Sequence, residues 1–284
     1  GYGPSGTPED FIVQVGKPVG SAYGYVTDGF YTSNDFNYTP GTTATNGKYT
    51  LKAGVADPSK VIGVAQPGLI KYKDLNGDGV ITTADRTVLG NTIPKVTGGI
   101  NQQFTYKKFD FSAFLNFQAG SKVLNANKIE FSNGYTSNTN LLVAAANRWK
   151  TIDGNGNQVE YISGGFATGV APDVLSAINA NATTSIPVTG SAAFYSTSNN
   201  VEDASFIRVN NLTLGYTFNP NFLKRVKVSK LRVYATANNV AIITGYSGYD
   251  PDVSTRRATG VTPGVDFSAY PRSRTYLIGV NLTL

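Results

Sequence analysis

The sequence of 284 residues contains no methionine, no histidine and no cysteine. Each absence removes chemistry. Without histidine or cysteine there is no Ser-His-Asp or Cys-His nucleophile, no zinc site of the common kinds, no haem or iron–sulfur ligation through those side chains, and no disulfide. Carboxylate, hydroxyl, amide, Lys and Arg chemistry remains. Because translation begins with Met and this chain begins at Gly1, the expectation is a processed product or a piece of a longer protein, with any targeting peptide lost upstream. Charge is scarce too: 15% of residues are charged, against roughly 25% in ordinary soluble domains. The net charge of +6 is scattered, in clusters no longer than Lys224-Arg225-Val226-Lys227 and Arg256-Arg257, so there is no basic track for phosphates and no nucleic-acid partner is expected. Long apolar runs are also missing. The longest, Leu141 to Ala146, is six residues, where a membrane-spanning helix needs about 20.

What is present points to strands. There are 17 Tyr, 15 Phe and 31 Gly, and the acidic residues are mostly Asp, a turn former and poor helix former. Any membrane residence must therefore rest on strands, whose signal is alternation. In Phe109 to Gln118 the odd positions are all apolar and the even ones mostly polar. In Thr275 to Leu284, residues Tyr276, Ile278, Val280, Leu282 and Leu284 share one face, with Leu277 the exception on the other. Leu212, Leu214, Tyr216 and Phe218 oppose Asn211, Thr213, Gly215 and Thr217. Further strands are expected at Thr97 to Tyr106, paired to Phe109 to Gln118 through Lys107-Lys108, and at Lys230 to Val240, with weaker candidates at Phe11 to Val15, Ala22 to Val26 and Ala192 to Ser196. Segments of about ten residues have the length a tilted strand needs to cross a bilayer. Their polar face of Thr, Ser, Asn, Gln and Gly suits a wet lumen, and Tyr and Phe near the strand ends suit the aromatic girdles of a barrel. A soluble β-sandwich also alternates, but its strands are shorter, about five or six residues.

Between these segments lie polar stretches at Tyr31 to Gly54, Phe131 to Asn140 and Thr151 to Gly190, read here as long external loops. A short helix is expected at Asn140 to Lys150.

One motif is chemically sharp. From Asp74 to Asp85, oxygen-bearing side chains stand at loop positions one (Asp74), three (Asn76), five (Asp78), nine (Thr82) and twelve (Asp85), with Gly79 at six, the Val80 carbonyl at seven and apolar Ile81 at eight. This is the spacing that wraps hard oxygens around Ca²⁺. Asp85 replaces the usual Glu at twelve, and its shorter side chain weakens the site or shifts it toward Mg²⁺. The competing reading is an Asx-rich turn without an ion; under both, residues 74–85 are a structural clasp. Asp250-Pro251-Asp252 brings two carboxylates together, as a glycosidase needs, but in its Tyr-Gly context reads as loop structure. Tyr246, Tyr249 and Tyr270 suit either sugar stacking or packing.

Several stretches in order resemble the C-terminal part of the SusC/RagA family of TonB-dependent outer-membrane transporters of the Bacteroidetes. They are Val15-Gly16-Lys17-Pro18-Val19-Gly20 with Asp28-Gly29-Phe30; Pro67-Gly68-Leu69-Ile70-Lys71-Tyr72 leading into the Asp-rich loop; Gly98-Gly99-Ile100-Asn101 with Lys108-Phe109-Asp110-Phe111; Asn147-Arg148-Trp149; Glu202 to Tyr216; Asn238-Asn239-Val240; Gly248-Tyr249-Asp250-Pro251-Asp252; and Tyr270-Pro271-Arg272-Ser273-Arg274. The resemblance implies an all-β fold, part of a large antiparallel transmembrane β-barrel in the bacterial outer membrane, with long extracellular loops. Transporters of this kind close about 22 strands around a plugged lumen, so a chain with about eight to ten strands supplies only part of one barrel. Residues 1–284 are then a single C-terminal segment without the plug. Implied partners are a SusD-like surface lipoprotein, the TonB complex through the missing N-terminal part, the remainder of the barrel, the lipid bilayer, and an oligosaccharide or peptide ligand. The implied role is nutrient import, not enzymatic catalysis. Ending on Leu284, where such barrels usually end on an aromatic residue, is a departure: Leu284 keeps the outward apolar face, and either the insertion signal is weakened or the sequence stops short of the natural end. Two other readings are a secreted or surface β-rich binding module with a Ca²⁺ clasp, such as an adhesin or carbohydrate binder, and a small self-contained porin-like barrel.

Overall fold

A computed structural model describes residues 10–132, 140–185, 196–219, 228–255 and 260–284. The chain divides into two compact units, residues 1–90 with 124–201 and residues 91–123 with 202–284, where the sequence reading treats 1–284 as one segment.

The second unit is built on five long strands: β1 (Val96–Tyr106), β2 (Phe109–Ala119), β3 (Phe206–Thr217), β4 (Lys230–Thr244) and β5 (Thr275–Thr283). Each is antiparallel to the next in chain order, forming one open meander. Their lengths of 11, 11, 12, 15 and 9 residues meet the roughly 9–11 residues of a tilted membrane strand. β1 and β2 close through the two residues Lys107-Lys108, with Tyr106 opposite Phe109. Lys107 there takes a left-handed backbone, φ 56°.

The strict alternation expected along β3 and β4 is interrupted. Val209 pairs with Ala241 and Asn211 with Asn238, so Asn210 stands against both Asn239 and Val240; on the other side Val209 faces Leu115 and Asn211 faces Phe114. This bulge reverses the parity of β3. Leu212, Leu214 and Tyr216 share a face with Ala113, Phe111 and Phe109, and beyond the bulge the same face is continued by the odd residues Val209 and Ile207 against Leu115 and Phe117. The apolar face is thereby kept along the whole strand.

The first unit is folded where the sequence reading places loops. Tyr31 to Gly54 and Thr151 to Gly190 contain Phe36–Thr39, Gly47–Leu51, Glu160–Ser163 and Phe166–Gly169, which pair into an antiparallel sheet. The reason is visible in Phe36-Asn37-Tyr38-Thr39 and Lys48-Tyr49-Thr50-Leu51, alternating segments too short to stand out from their polar surroundings. Their apolar sides join Tyr31, Leu69, Trp149, Val159, Val170 and Leu175 in one buried cluster. Leu175 arrives on the helix Pro172–Ile178, which starts with Pro at its first position, where the missing N–H costs nothing.

Smaller sheets complete this unit: Phe11–Ile12 with Ser21–Tyr25 and Arg86–Asn91, and Thr27–Phe30 with Ile70–Tyr72. The candidate strand Phe11 to Val15 is thus only two residues, Ala22 to Val26 is realised as Ser21–Tyr25, and the expected helix at Asn140 to Lys150 is a 3₁₀ turn, Val143–Asn147. In each case a short run lacks the length to sustain the expected element against the packing around it. Of the expected eight to ten spanning strands, five have the length; the twelve other strands among the described residues are two to six residues long. The candidate strand at Ala192 to Ser196 lies outside the described residues apart from Ser196, most of Phe131 to Asn140 lies outside them, and so do Lys224 to Lys227 and Arg256-Arg257.

Candidate functional site

The five-stranded sheet has two chemically opposite faces. One carries Ile100, Phe104 and Tyr106 from β1, Phe109 and Phe111 from β2, Leu212, Leu214 and Tyr216 from β3, Val233 from β4, and Tyr276, Ile278, Val280 and Leu282 from β5, aligned by the register. Most of these side chains are open, and Leu212, Tyr216 and Val233 are half-buried: Tyr106 is 70% exposed, Tyr276 75% and Ile278 80%. A contiguous apolar surface spanning five strands exceeds the few hundred Å² that soluble monomers leave exposed and calls for an apolar environment.

The other face is a hydrogen-bonded polar lattice. Asn210 donates to the Asn116 carbonyl oxygen at 2.8 Å and Asn211 to that of Asn238 at 2.7 Å. The hydroxyls of Thr213 and Thr236 lie 2.8 Å apart. Arg232 Nε donates to Asp110 Oδ1 at 2.9 Å and its Nη2 to Asp110 Oδ2, and the pair crosses directly over Gly215, where a Cβ would lie 2.5 Å from both partners. A wet side of this composition matches the lumen of a membrane barrel.

Beyond the bulge this face changes character. Arg208, 2% exposed, donates from Nη2 to Asp250 Oδ1 at 2.6 Å and from Nη1 to Asn239 Oδ1 at 3.1 Å. Arg272 reaches Asp250 Oδ2 at 3.1 Å and Asp252 Oδ2 at 2.8 Å. Asn239, held at φ 51°, donates to the carbonyls of Arg272 and Ser273. Both carboxylates of Asp250-Pro251-Asp252 are committed to arginines, which agrees with loop structure and leaves no free acid–base pair for glycoside cleavage. Tyr246 is a packing residue, its hydroxyl donating to Asp266 Oδ2 at 2.7 Å, whereas Tyr249 and Tyr270 are open, at 75% and 92%. The motif stretches held these residues, but nothing in the sequence showed that Arg208 and Arg272 share Asp250.

In the Asp74–Asp85 loop the side chains bind the backbone. Asp74 accepts from the N–H of Gly77 at 2.7 Å and of Gly79 at 2.8 Å, and these amides, that of Gly79 foremost, hold its carboxyl below the usual carboxylate range. Asn76 accepts from Asp78 N–H, and Asp78 from Val80 N–H. Thr82 caps the short turn Thr83–Asp85 by accepting from Ala84 N–H. Asp85, fully buried, accepts from Leu75 N–H at 2.9 Å and Thr82 N–H at 2.8 Å. Ile81 packs beside Tyr25 and Tyr72. Among the described residues no group of three or more carboxylates converges as for a metal ion. The oxygen set has the chemistry of a Ca²⁺ loop, while backbone amides take up several of its lone pairs.

A buried acid in the first unit was not foreseen. Glu160 sits beside the aromatic cluster with one oxygen accepting from Trp149 Nε1 at 2.9 Å and the other without a partner among the described residues. Burial pushes its carboxyl from an ordinary 4.5 up to about 8, against the lowering effect of the Trp149 bond.

No family model matches the chain. Its sequence is 28% identical over 275 residues to TonB-dependent receptor P3 of Formosa agariphila, covering 95% of this chain and 23% of that protein. It is 29% identical over 222 residues to TonB-dependent receptor SusC of Bacteroides thetaiotaomicron, covering 74% of this chain and 17% of that one. The RagAB peptide importer in its closed-closed state matches 98% of this chain and 24% of its own, with TM-score 0.56 and 20% identity; the open-open state gives TM-score 0.53 and 19% identity. The chain therefore spans about a quarter or less of the length of these relatives. The fold is all-β, the five-stranded sheet is a section of outer-membrane barrel wall, and the resemblance to SusC/RagA-family receptors extends along nearly the whole chain.

Proposed function

Proceeding from a chain similar along nearly its whole length to TonB-dependent receptors of the SusC kind, we propose that it forms the C-terminal barrel wall and external loops of an importer that takes up oligosaccharides or peptides across the outer membrane. The observation that carries this is the sheet itself. One face is apolar and open, the other is a hydrogen-bonded polar lattice, and both edges, β1 and β5, are long and unpaired within the sheet. Such edges demand further strands, which the remainder of the barrel supplies. Capture of ligand under a SusD-like lipoprotein lid, and energy from TonB contacted through the N-terminal part, complete the mechanism. The chain's role in it is containment and recognition, not catalysis.

The test is uptake of labelled oligosaccharide and oligopeptide pools by cells expressing the whole protein, with and without TonB. Uptake that vanishes without TonB, together with co-purification of a lipoprotein, is expected. Uptake indifferent to TonB overturns the reading in favour of a passive porin.

For residues 74–85 we propose Ca²⁺ as the ion the clasp takes, through Asp74, Asn76, Asp78, the Val80 carbonyl, Thr82 and Asp85. The spacing of hard oxygens supports it. Calorimetry on chelator-stripped protein is expected to show heat with Ca²⁺ and less with Mg²⁺. No heat at millimolar Ca²⁺ reduces the loop to an Asx clasp closed by backbone amides alone.

A further inference from the structure

The end of the wall farthest from the Lys107-Lys108 turn carries a cavity of about 120 Å³ lined by Arg208, Asn239, Tyr249, Asp250, Arg272 and Arg274, among others. Arg208 pairs across the sheet with Asn116, near the far end of β2, and the long connections 120–205 and 245–274 leave from this end. In outer-membrane barrels the long connections are extracellular and the tight turns periplasmic. With Arg208 on the polar face, the cavity belongs to the outer mouth of the lumen. A second cavity of about 410 Å³ shares Tyr249, Asp250 and Arg272 with it and adds Asp252 and Tyr270.

The charges do not cancel. Three guanidiniums face two carboxylates, and both carboxylates are engaged by Arg208 and Arg272. Arg274 lines the cavity without a hydrogen bond or ion pair among the described residues. A purely structural lock between Arg208, Asp250 and Arg272 would not need Arg274. Arginine is the side chain suited to planar oxyanions, through paired, charge-assisted N–H donors. Tyr249 beside it offers an open ring face to the rest of a ligand.

We propose that this cavity is a recognition subsite for a carboxylate carried by the imported oligomer, held by Arg274. The inference rests on the import reading and names the ligand chemistry of its route. An acidic peptide and a uronate-containing oligosaccharide offer the same group, and the experiment separates them.

The whole outer-membrane protein in detergent is titrated calorimetrically with tetraglutamate, tetragalacturonate and their neutral counterparts, tetraglutamine and galactotetraose. One carboxylated probe is expected to bind about tenfold or more tighter than its neutral counterpart, with an affinity that falls as salt rises. Which one identifies the source. Arg274→Gln, at an exposed side chain with no partner to lose, is expected to remove most of that advantage and leave the neutral probes unchanged. Equal binding of charged and neutral probes, no binding of any of the four, or an Arg274→Gln protein that keeps the preference overturns the subsite. TonB-dependent uptake that survives such a result leaves import standing. Uptake indifferent to TonB with the charge preference intact removes the import reading and keeps the site.

Discussion

The two units use the same aromatic residues in opposite ways. In the first, Tyr31, Phe36 and Tyr49 are packed edge to face and buried around Trp149, so their contribution is that of an ordinary core. In the wall, Phe104, Tyr106, Phe109 and Tyr276 stand open on one face, and only surrounding lipid removes them from water. Burial in one unit comes from within the chain; in the other it comes from the medium. Substitutions should therefore be judged by different rules in each.

The largest expected effect is in the aromatic core. Gly68 has φ +80°, and a Cβ there would lie 2.2 Å from Trp149 Cγ. Gly68→Val combines left-handed backbone strain with overpacking and is expected to destabilise the first unit by about 4 kcal/mol. Trp149 is the only tryptophan, so a red-shifted emission at a lowered unfolding midpoint reads this unit directly. An unchanged spectrum and midpoint would mean that the indole is not sealed by Gly68.

The wall should respond to side rather than to size. Leu214 lies on the apolar face and Thr213, its neighbour, on the polar one. Leu214→Arg is expected to cost about 3 kcal/mol of folding free energy in lipid vesicles and Thr213→Arg far less. Equal costs would dissolve the distinction between the two faces.

The same contrast explains what could be read in advance. Three of the wall strands were legible because period-two alternation runs over eight to ten residues with at most one exception, long enough to outweigh local noise, and β1 was legible through its turn to β2 at Lys107-Lys108. The bulge was not, since one inserted residue at Asn210 reverses parity and looks in sequence like an error of alternation rather than its continuation. The four-stranded sheet of the first unit was hidden because its segments of four or five residues sit inside Asn-, Thr- and Gly-rich stretches whose composition reads as loop. The acidic loop was legible in its spacing, and its hydrogen bonding to backbone was not. Arg208, Asp250 and Arg272 converge only through the register of β3 and β4 and the return of the 245–274 connection, a long-range pairing that no local window contains.

Glu160 sharpens the comparison through pH. Below about pH 4.5 the folded and unfolded chains both keep its proton; between there and about pH 8 the unfolded chain releases it and the folded one does not. Stability of the first unit is therefore expected to fall as pH rises through that window and to level off above it. Glu160→Gln keeps a Trp149 acceptor without the ionisation and is expected to flatten this dependence, gaining roughly 2 kcal/mol at pH 7 once its remaining unpaired amide is allowed for. Hydrogen exchange of the Tyr49 and Val170 amides, corrected for intrinsic rates, follows it locally. A wild-type core equally protected at pH 5 and pH 8 would show that the carboxyl ionises without penalty.

The smallest effect returns to the wall. Lys107 occupies a left-handed position, φ 56°, in a two-residue hairpin connection where Gly or Asn is the usual choice. Its Nζ lies 5.2 Å from the Tyr106 ring centroid, a cation–π attraction worth about 0.5–1 kcal/mol at an exposed site, against a strain of about 1–2 kcal/mol for an ordinary side chain there. Lys107→Gly is thus expected to stabilise the hairpin by about 0.5 kcal/mol in vesicles, the difference being small because relief of the strain and removal of the cation–π attraction oppose each other. Lys107→Asn, which tolerates the conformation and also lacks the cation, should fall between them. Destabilisation by both variants would mean that the lysine's hold on the Tyr106 ring and the bilayer surface outweighs its strained backbone, and that this end of the wall is fixed by its surroundings in the same way as its apolar face.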